Sequence, residues 1–383
     1  MPVKQLFIWL LLAGITFSCV DPFWPDIDKY ENVLVVDGRL TNAEDTVMVK
    51  LSYSSPLNNE ERITISSASL FIQDDKGEVV YFTEIRPGTY IIPDLSFHGV
   101  AGTKYQLHIA LENGKHYQSD MELLTESAPI DSVYGMVKTE EVAGYDHDLE
   151  GVQFYVDNHN SFTDTAYYLW RCDQTYEYMA TFTLDVIWMG YPIYVSRPDS
   201  LRRCWRTKPD YSLYTYTTKN LDQPVIKQFP ITYATTETKM LSIRYSLRVE
   251  QYSIDEKAYE FFDALRQQNL EQGSLYARQP IQIRGNVFNT DDPGEPVLGY
   301  FTVAGVSTKR IFINRPAGLE FYYSVCQPDF ESVMMIGASS PAFWPIYLTD
   351  VPGMGWAMGA SDVCFDCRLE GGALTPPDFW TLE

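Results

Sequence analysis

One long helical pattern lies in a chain whose other periodic stretches alternate in the manner of β-strands, and this contrast constrains the fold. Ser253 and Glu256 have the spacing of a capping box, in which the two side chains bond free amides of the first helical turn. Glycine commonly follows the last residue of a helix, as Gly273 would here. We therefore predict a helix over about residues 253–272. Its apolar face comprises Ala258, Phe261, Phe262 and Leu265.

Strand patterns flank this helix on both sides. Upstream, LSIRYSLRVEQY alternates apolar and polar residues. Downstream come IQIRGNVF, a turn at DDPGEP, and then VLGYFTVAGV and KRIFIN. We therefore expect the helix to pack across an open face or end of the sheet that these strands form.

Residues 31–127 show a regular succession of short strand patterns. They include VLVVDGRL, TVMVKLSYS, ASLFIQ, KYQLHIAL and HYQSDMELL, and the spacing is typical of an immunoglobulin-like or transthyretin-like β-sandwich of about seven strands. Pro129, in the polar stretch SAPIDSVYG, marks the predicted boundary with a larger β-rich domain over residues 128–383. The predicted fold class is therefore mainly β, with one long helix.

Four stretches of the second domain resemble a known family. They are the helix, QPIQIRGNVFNTDDPGEPVLGYF, STKRIFIN and the ending CFDCRLEGGALTPPDFW. They resemble the Bacteroidota lipoproteins grouped as domain of unknown function 4249 (DUF4249), and the resemblance covers nearly all of the chain from Glu31 to Trp380. It implies an export signal with a lipidated cysteine and a genetic neighbour that encodes an outer-membrane TonB-dependent receptor. No enzymatic activity is generally assigned to this family, so the resemblance implies a cellular context and not a reaction.

The N-terminus has the pattern of a signal peptide. Residues 1–18 carry a basic Lys4 and then an apolar run that is too short to span a membrane. Cys19 follows directly and is the expected site of lipid attachment after cleavage. The alternative is an ordinary signal peptide that is followed by a cysteine only by coincidence, in which case Cys19 would carry no lipid.

Residues 19–30 are predicted to form a lipid-anchored tether. Asp21, Asp26 and Asp28 resemble the anionic tags that direct such lipoproteins to the outer face of the outer membrane. We therefore expect an outer-membrane lipoprotein on the cell surface, with the periplasmic face as the alternative. The formal net charge of −22 argues against a nucleic-acid partner, because binding phosphates requires a basic face.

Five cysteines follow Cys19, and an exported protein meets an oxidising environment in which disulfides are the default. We favour a Cys172–Cys204 bridge, which would enclose an aromatic hairpin, and a second bridge among the remaining three. The Cys364–Cys367 pair has the spacing of a thioredoxin-like redox motif but lacks its βαβ context. A zinc site would need two ligands in addition to these cysteines, and the sequence contains no second CxxC pair and no closely spaced His pair. The five are Cys172, Cys204, Cys326, Cys364 and Cys367.

Asp146, His147 and Asp148 form the densest ligand-like cluster. Hard oxygen ligands can hold calcium, and a histidine can join a transition-metal site. The order of residues is not that of an EF-hand loop, so we interpret the cluster as an exposed polar loop and expect no metal.

Asp291, Asp292 and Glu295 surround a Pro-Gly pair. Paired carboxylates serve glycoside hydrolysis when a cleft separates them, but Asp next to Pro-Gly more commonly caps its own backbone. We interpret this segment as a turn.

Aromatic residues are dense between positions 167 and 216, and others occur on late loops. Flat rings can stack on sugars or bind peptide side chains, although about half of the residues in a strand face inward and belong to the core. A binding surface, if present, is expected among these side chains: Tyr168, Trp170, Tyr176, Trp188, Trp205, Trp344 and Trp356.

No catalytic signature is present in the sequence. The five histidines are scattered, and there is no G-x-S-x-G elbow, HExxH pair, P-loop or Rossmann fingerprint. We expect a non-enzymatic, cofactor-free accessory or ligand-capture subunit of a TonB-dependent transporter system. The alternatives are a surface glycan or peptide hydrolase, with Asp146, Asp148, Asp291 or Asp292 as its acids, and an adhesin or structural surface protein.

Overall fold

The structure, a computed structural model, describes residues 33–54, 63–142, 144–160, 165–271 and 283–380. The predicted signal peptide, Cys19 and the tether lie outside these residues. The described part is mainly β, which confirms the predicted fold class.

Ten strands precede the predicted domain boundary. They are β1 (Leu34–Thr41), β2 (Met48–Tyr53), β3 (Ile63–Thr64), β4 (Ser69–Asp74), β5 (Val79–Tyr81), β6 (Thr83–Arg86), β7 (Thr89–Ile91), β8 (Lys104–Ala110), β9 (His116–Ser119) and β10 (Glu122–Leu123).

The remaining elements are twelve strands, two α-helices and several short 3-10 helices. The strands are β11 (Ile130–Glu140), β12 (Leu149–His159), β13 (Tyr167–Met179), β14 (Val186–Trp188), β15 (Pro192–Tyr194), β16 (Arg203–Thr217), β17 (Val225–Thr235), β18 (Arg244–Ile254), β19 (Val287–Asn289), β20 (Val297–Asn314), β21 (Ile346–Val351) and β22 (Gly355–Ala357). The α-helices are α1 (Glu256–Glu271) and α2 (Glu331–Met334). The 3-10 helices are Pro198–Leu201, Lys239–Leu241, Ile336–Ala338, Pro341–Phe343, Asp362–Cys364 and Cys367–Glu370.

A long sheet runs through the molecule in the order β16-β13-β18-β20-β1-β2-β7-β6, with β3 beside β2. A second sheet has the order β19-β9-β8-β4-β5, with β10 beside β8. A third contains β11-β12-β17, and a fourth contains β15-β14-β21-β22.

Strand β20 joins the two predicted domains within the long sheet. Its first part runs parallel to β1, where Gly299 lies opposite Val36. Its second part runs antiparallel to β18, where Ile311 lies opposite Leu247. Strand β19 likewise pairs with β9 of the second sheet. The sandwich therefore extends beyond residues 31–127, because β1 and β9 would otherwise present unpaired edges.

Two cores lie on one face of the long sheet. Leu34 and Val36 of β1 pack with Leu107 of β8, which fills the N-terminal sandwich. Trp170 of β13 and Phe154 of β12 pack in the other core, between the long sheet and the third sheet. The central strands β13, β18, β20, β1 and β2 contribute alternate residues to these cores, as the pleat requires.

Helix α1 covers the opposite face of the long sheet. Its Ala258, Phe261 and Phe262 are buried against Tyr252 and Tyr300 of the sheet. The predicted apolar face of the helix and its packing on the sheet are therefore confirmed.

The predicted capping box is wrong. Asp255 caps the helix instead, since its Oδ1 accepts the Ala258 amide at 2.8 Å. Ser253 belongs to β18, where it pairs with Tyr168, and its hydroxyl accepts the Ala128 amide at 3.1 Å. Pairing with β13 on one side and β20 on the other includes Ser253 in β18, which ends at Ile254, and the helix begins at Glu256. The predicted stop at Gly273 lies outside the described residues.

Candidate functional site

The fourth sheet forms a small unit at the C-terminal end of the fold. Strand β14 pairs with both β15 and β21, so that Trp188 lies opposite Ile346. Strand β21 forms a hairpin with β22, in which Asp350 lies opposite Trp356. Short helical turns over residues 331–343 pack beside these strands. We call this part, residues 182–201 and 326–366, the C-terminal unit.

Two disulfides hold the C-terminal unit. Cys326–Cys364 lies within it, with a Cα–Cα distance of 5.9 Å. Cys204–Cys367 joins β16 of the long sheet to the segment that follows the unit, with a Cα–Cα distance of 5.8 Å. Cys364 and Cys367 thus bond to different partners and do not bridge each other.

The predicted Cys172–Cys204 bridge is wrong. Cys204 on β16 lies opposite Tyr178 of β13, whereas Cys172 precedes Tyr178 by six residues on β13. That separation is about 20 Å along a strand, which is far beyond the reach of a disulfide. Cys172 is a free, buried thiol.

An apolar groove opens on the surface of the C-terminal unit. It has a volume of about 570 Å³, and Phe343 and Met335 are 72% and 69% exposed at its rim. We define the apolar groove by six lining residues: Met335, Phe343, Ile346, Tyr347, Met358 and Phe365.

Three of the predicted binding aromatics belong to the C-terminal unit and are half-buried. The Trp344 indole donates from Nε1 to Ser339 Oγ at 2.8 Å. It also packs on Gly190, where an added Cβ would lie 2.5 Å from the ring. Trp356 lies edge-on to the exposed Tyr194, with ring centroids 6.2 Å apart, and Trp188 packs against the same small core. These rings support the surface that carries the apolar groove.

Three of the other four predicted aromatics, Tyr168, Trp170 and Trp205, are core residues, so their assignment to a binding surface is wrong. Tyr168 and Trp170 are 0% exposed, and Tyr176 and Trp205 are 7% exposed. The Trp170 indole donates to Gln251 Oε1 at 3.0 Å inside this core. The third sheet and helix α1 cover the two faces of β13 around Tyr168 and Trp170, which leaves these two without access to a ligand. Tyr176, further along β13, lines a surface cavity that is described below.

In the Asp146–His147–Asp148 cluster, the His147 ring bonds two carboxylates. His147 Nδ1 lies 2.7 Å from Asp146 Oδ1, and Nε2 lies 2.9 Å from Glu237 Oε1. The ring stacks on Tyr322 with centroids 3.6 Å apart. Hydrogen bonds to Glu237 and then to Asp146 raise the pKa of His147 above its ordinary value. Within the described ranges, no three His, Cys, Asp or Glu residues are placed to hold a metal ion.

The segment around Asp291 and Asp292 is a turn, as predicted. Asn289 Oδ1 accepts the amides of Asp291 and Asp292 at 2.8 and 3.2 Å. Asp292 Oδ1 accepts the Gly294 amide at 3.1 Å. The Asn289 amide oxygen and the Asp292 carboxylate thus bond the backbone of this turn, and this turn and the His147 cluster belong to different sheets.

Comparison with known proteins gives a family and no characterised relative. A family model described as "Domain of unknown function (DUF4249)" matches residues 20–310. No curated protein matches the chain. Of the helices in the described part, none has both the length and the apolar composition needed to cross a bilayer.

Proposed function

The chain belongs to the DUF4249 family, and from this premise we propose that it is an outer-membrane lipoprotein of the cell surface. In this role Cys19 carries the lipid anchor. The folded part captures a ligand, or hands it over, beside a TonB-dependent receptor and performs no catalysis itself. The observation that carries this proposal is the apolar groove of the C-terminal unit.

The apolar groove has the properties of a docking surface. Exposed apolar clusters on folded proteins mark interaction sites, and Phe343 and Met335 stand at the rim, each more than two-thirds exposed. Methionine adapts its shape to a partner. The Cys326–Cys364 bridge stiffens the unit beneath, which lowers the entropy lost on binding.

Two further observations support an exported and anchored protein. The family match begins at residue 20, directly after the expected lipidation site at Cys19. Two disulfides among the described residues fit an oxidising compartment outside the cytoplasm.

A pull-down from native membranes tests the docking role. The tagged full chain is extracted in mild detergent, and its partners are identified by mass spectrometry. We expect a stoichiometric TonB-dependent receptor with the wild type, and loss of that receptor with the double variant Phe343→Ser/Met335→Ser. The matched control is Tyr81→Ser/Leu95→Ser, which removes apolar side chains that are 63% and 64% exposed on the N-terminal sandwich.

Two outcomes would overturn the docking role. One is recovery of the wild type without any receptor. The other is equal loss of receptor in both double variants, which would mean that the apolar groove has no special part in binding.

The anchor is tested separately with Cys19→Ser. We expect this variant to leave the membrane fraction, because its only predicted link to the bilayer is the lipid on Cys19. Retention in the membrane fraction after a high-salt wash would show that the anchor has been assigned to the wrong residue.

A further inference from the structure

Arg206 and Lys208 are cations on the inward face of an edge strand. Strand β16 ends the long sheet, and Arg206 lies opposite Tyr176 of β13. Tyr176 and Cys204 face the core between the long sheet and the third sheet. Because alternate residues of a strand share a face, Arg206 and Lys208 point to that same side, where the third sheet no longer covers them.

A cavity of about 480 Å³ lies at this uncovered end. Tyr176 and Tyr178 line it from β13, and the 3-10 helix Lys239–Leu241 contributes Lys239. Tyr323 and Ser324, which follow β20, complete the wall and add hydroxyl groups. We call this space the cationic cavity. Its volume is that of an ordinary small-molecule site.

The cationic cavity carries more positive than negative charge. Glu370 is the one carboxylate in its lining, and Lys239 already binds both oxygens of that carboxylate, at 2.7 and 2.9 Å. In the described part of the chain, neither Arg206 nor Lys208 forms an ion pair with a carboxylate. The lining therefore has three cations, Arg206, Lys208 and Lys239, against one carboxylate, and two of the three are not neutralised.

The walls of the cavity are fixed by covalent and hydrogen bonds. The Cys204–Cys367 disulfide joins β16 to the segment behind the cavity, and the Tyr178 hydroxyl donates to the Cys367 carbonyl oxygen at 2.7 Å. The Arg206 guanidinium lies against Gly371, where an added Cβ would stand 3.4 Å from Cζ. Rigid walls of this kind lower the entropy lost when a ligand binds.

We propose that the cationic cavity binds a small molecule with a carboxylate or phosphate group. Arg206 and Lys208 bind the anionic oxygens, for which the planar guanidinium offers two parallel donors. The hydroxyls of Tyr323 and Ser324 are placed for polar groups on the rest of the ligand, as in an acidic sugar. This site lies apart from the apolar groove, so the inference stands whether or not the groove binds a receptor.

The competing explanation is protection of the sheet edge. Inward-pointing charges on an edge strand hinder pairing with another chain, and Arg206 and Lys208 could serve that purpose without any ligand. The two explanations differ in one respect that can be measured: only the binding site requires an anion to bind the wild type.

Isothermal titration calorimetry on the full chain in mild detergent tests the proposal. The probes are sodium glucuronate, inorganic phosphate and, as the neutral counterpart, glucose. The variant Arg206→Gln/Lys208→Gln is compared with the control Lys76→Gln/Lys104→Gln, which removes the same charge from exposed positions on the N-terminal sandwich. Circular dichroism melting checks that each variant is folded, and Lys208→Gln alone replaces the double variant if that one is not.

We expect glucuronate, phosphate or both to bind the wild type and the control. Binding should weaken at least about tenfold in the Arg206/Lys208 variant and should weaken with added salt. Binding of one anion alone identifies which group the site takes. The proposal is overturned if neither anion binds the wild type, if the control loses binding equally, or if glucose binds as tightly as glucuronate. Self-association of the Arg206/Lys208 variant, without anion binding by the wild type, would establish the edge-protection role instead.

Discussion

Glu122 of strand β10 lies beside Asp255, the residue that caps helix α1. Glu122 Oε1 also accepts hydrogen bonds from Asn286 Nδ2 at 3.0 Å and from the Tyr300 hydroxyl at 3.2 Å. Burial, followed by the neighbouring Asp255 carboxyl group, raises the pKa of Glu122 to about 7. One titrating side chain therefore joins the N-terminal sandwich, the helix cap and strand β20.

This contact predicts that stability falls as pH rises through the weakly acidic range. The pKa of Glu122 is raised on folding from 4.5 to about 7, so the folded state binds the proton more tightly. The stability gained is fully present below pH 4.5 and is lost as pH rises to about 7. Glu122→Gln keeps an acceptor for Asn286 and can donate to Asp255 without ionising.

We expect Glu122→Gln to be more stable than the wild type at pH 8, by about 2 kcal/mol, and nearly equal to it at pH 4. Thermal melts across this range measure the difference, and Glu112→Gln, on an exposed hairpin, serves as the control. Parallel pH profiles for the wild type and Glu122→Gln would contradict the assignment.

The cysteine pairing predicts a specific peptide map. Digestion without reductant should link Cys204 to Cys367 and Cys326 to Cys364. Cys172 should resist alkylation in the folded protein, because it is only 2% exposed, and should react after denaturation. A peptide linking Cys172 to Cys204 would contradict the structure and restore the pairing favoured from sequence.

The features predicted correctly from sequence are local ones. The face of helix α1 with Phe261 and Phe262 follows from a period of 3.6 residues, and the turn at Asp292 follows from the chemistry of four neighbouring residues. In each case the interacting groups lie within a few positions of one another, so the sequence contains the whole pattern.

The features that were missed depend on distant partners. Alternation in β1 indicates which face is buried but not that β20, more than 250 residues later, lies beside it. Tyr168 and Trp170 have the composition of a binding surface, and only the sheet and helix packed on β13 bury them. Arg206 and Lys208 likewise look like ordinary exposed strand residues until β16 is known to be an edge.

The parallel pairing of β1 with β20 predicts that Gly299 tolerates no side chain. Its φ is +89°, and an added Cβ would lie 1.9 Å from the carbonyl oxygen of Val36. Gly299→Ala should therefore lose about 3 kcal/mol or more in thermal or urea unfolding. Gly114→Ala is the matched control, since its φ is +83° but nothing lies within 4 Å, and it should lose about 1 kcal/mol. Equal losses in the two variants would show that the close approach to Val36 has no effect.

The contacts of His147, including its stacking on Tyr322, predict a pH-sensitive link between three segments of the chain. His147 lies in the β11–β12 loop, Glu237 follows β17, and Tyr322 follows β20. Because the pKa of His147 is raised in the folded state, its ion pairs stabilise the folded protein fully below pH 6.5. This contribution is lost as pH rises through the folded pKa.

Glu237→Gln removes the carboxylate bonded to Nε2 and should bring the pKa of His147 down toward 6.5. Titration of the His147 ring protons by NMR measures this shift. Asp148→Asn, a neighbouring exposed carboxylate that bonds neither ring nitrogen, should change the pKa much less. An equal shift in the two variants would mean that the general negative charge of the loop, and not the bond to Glu237, holds the proton on His147.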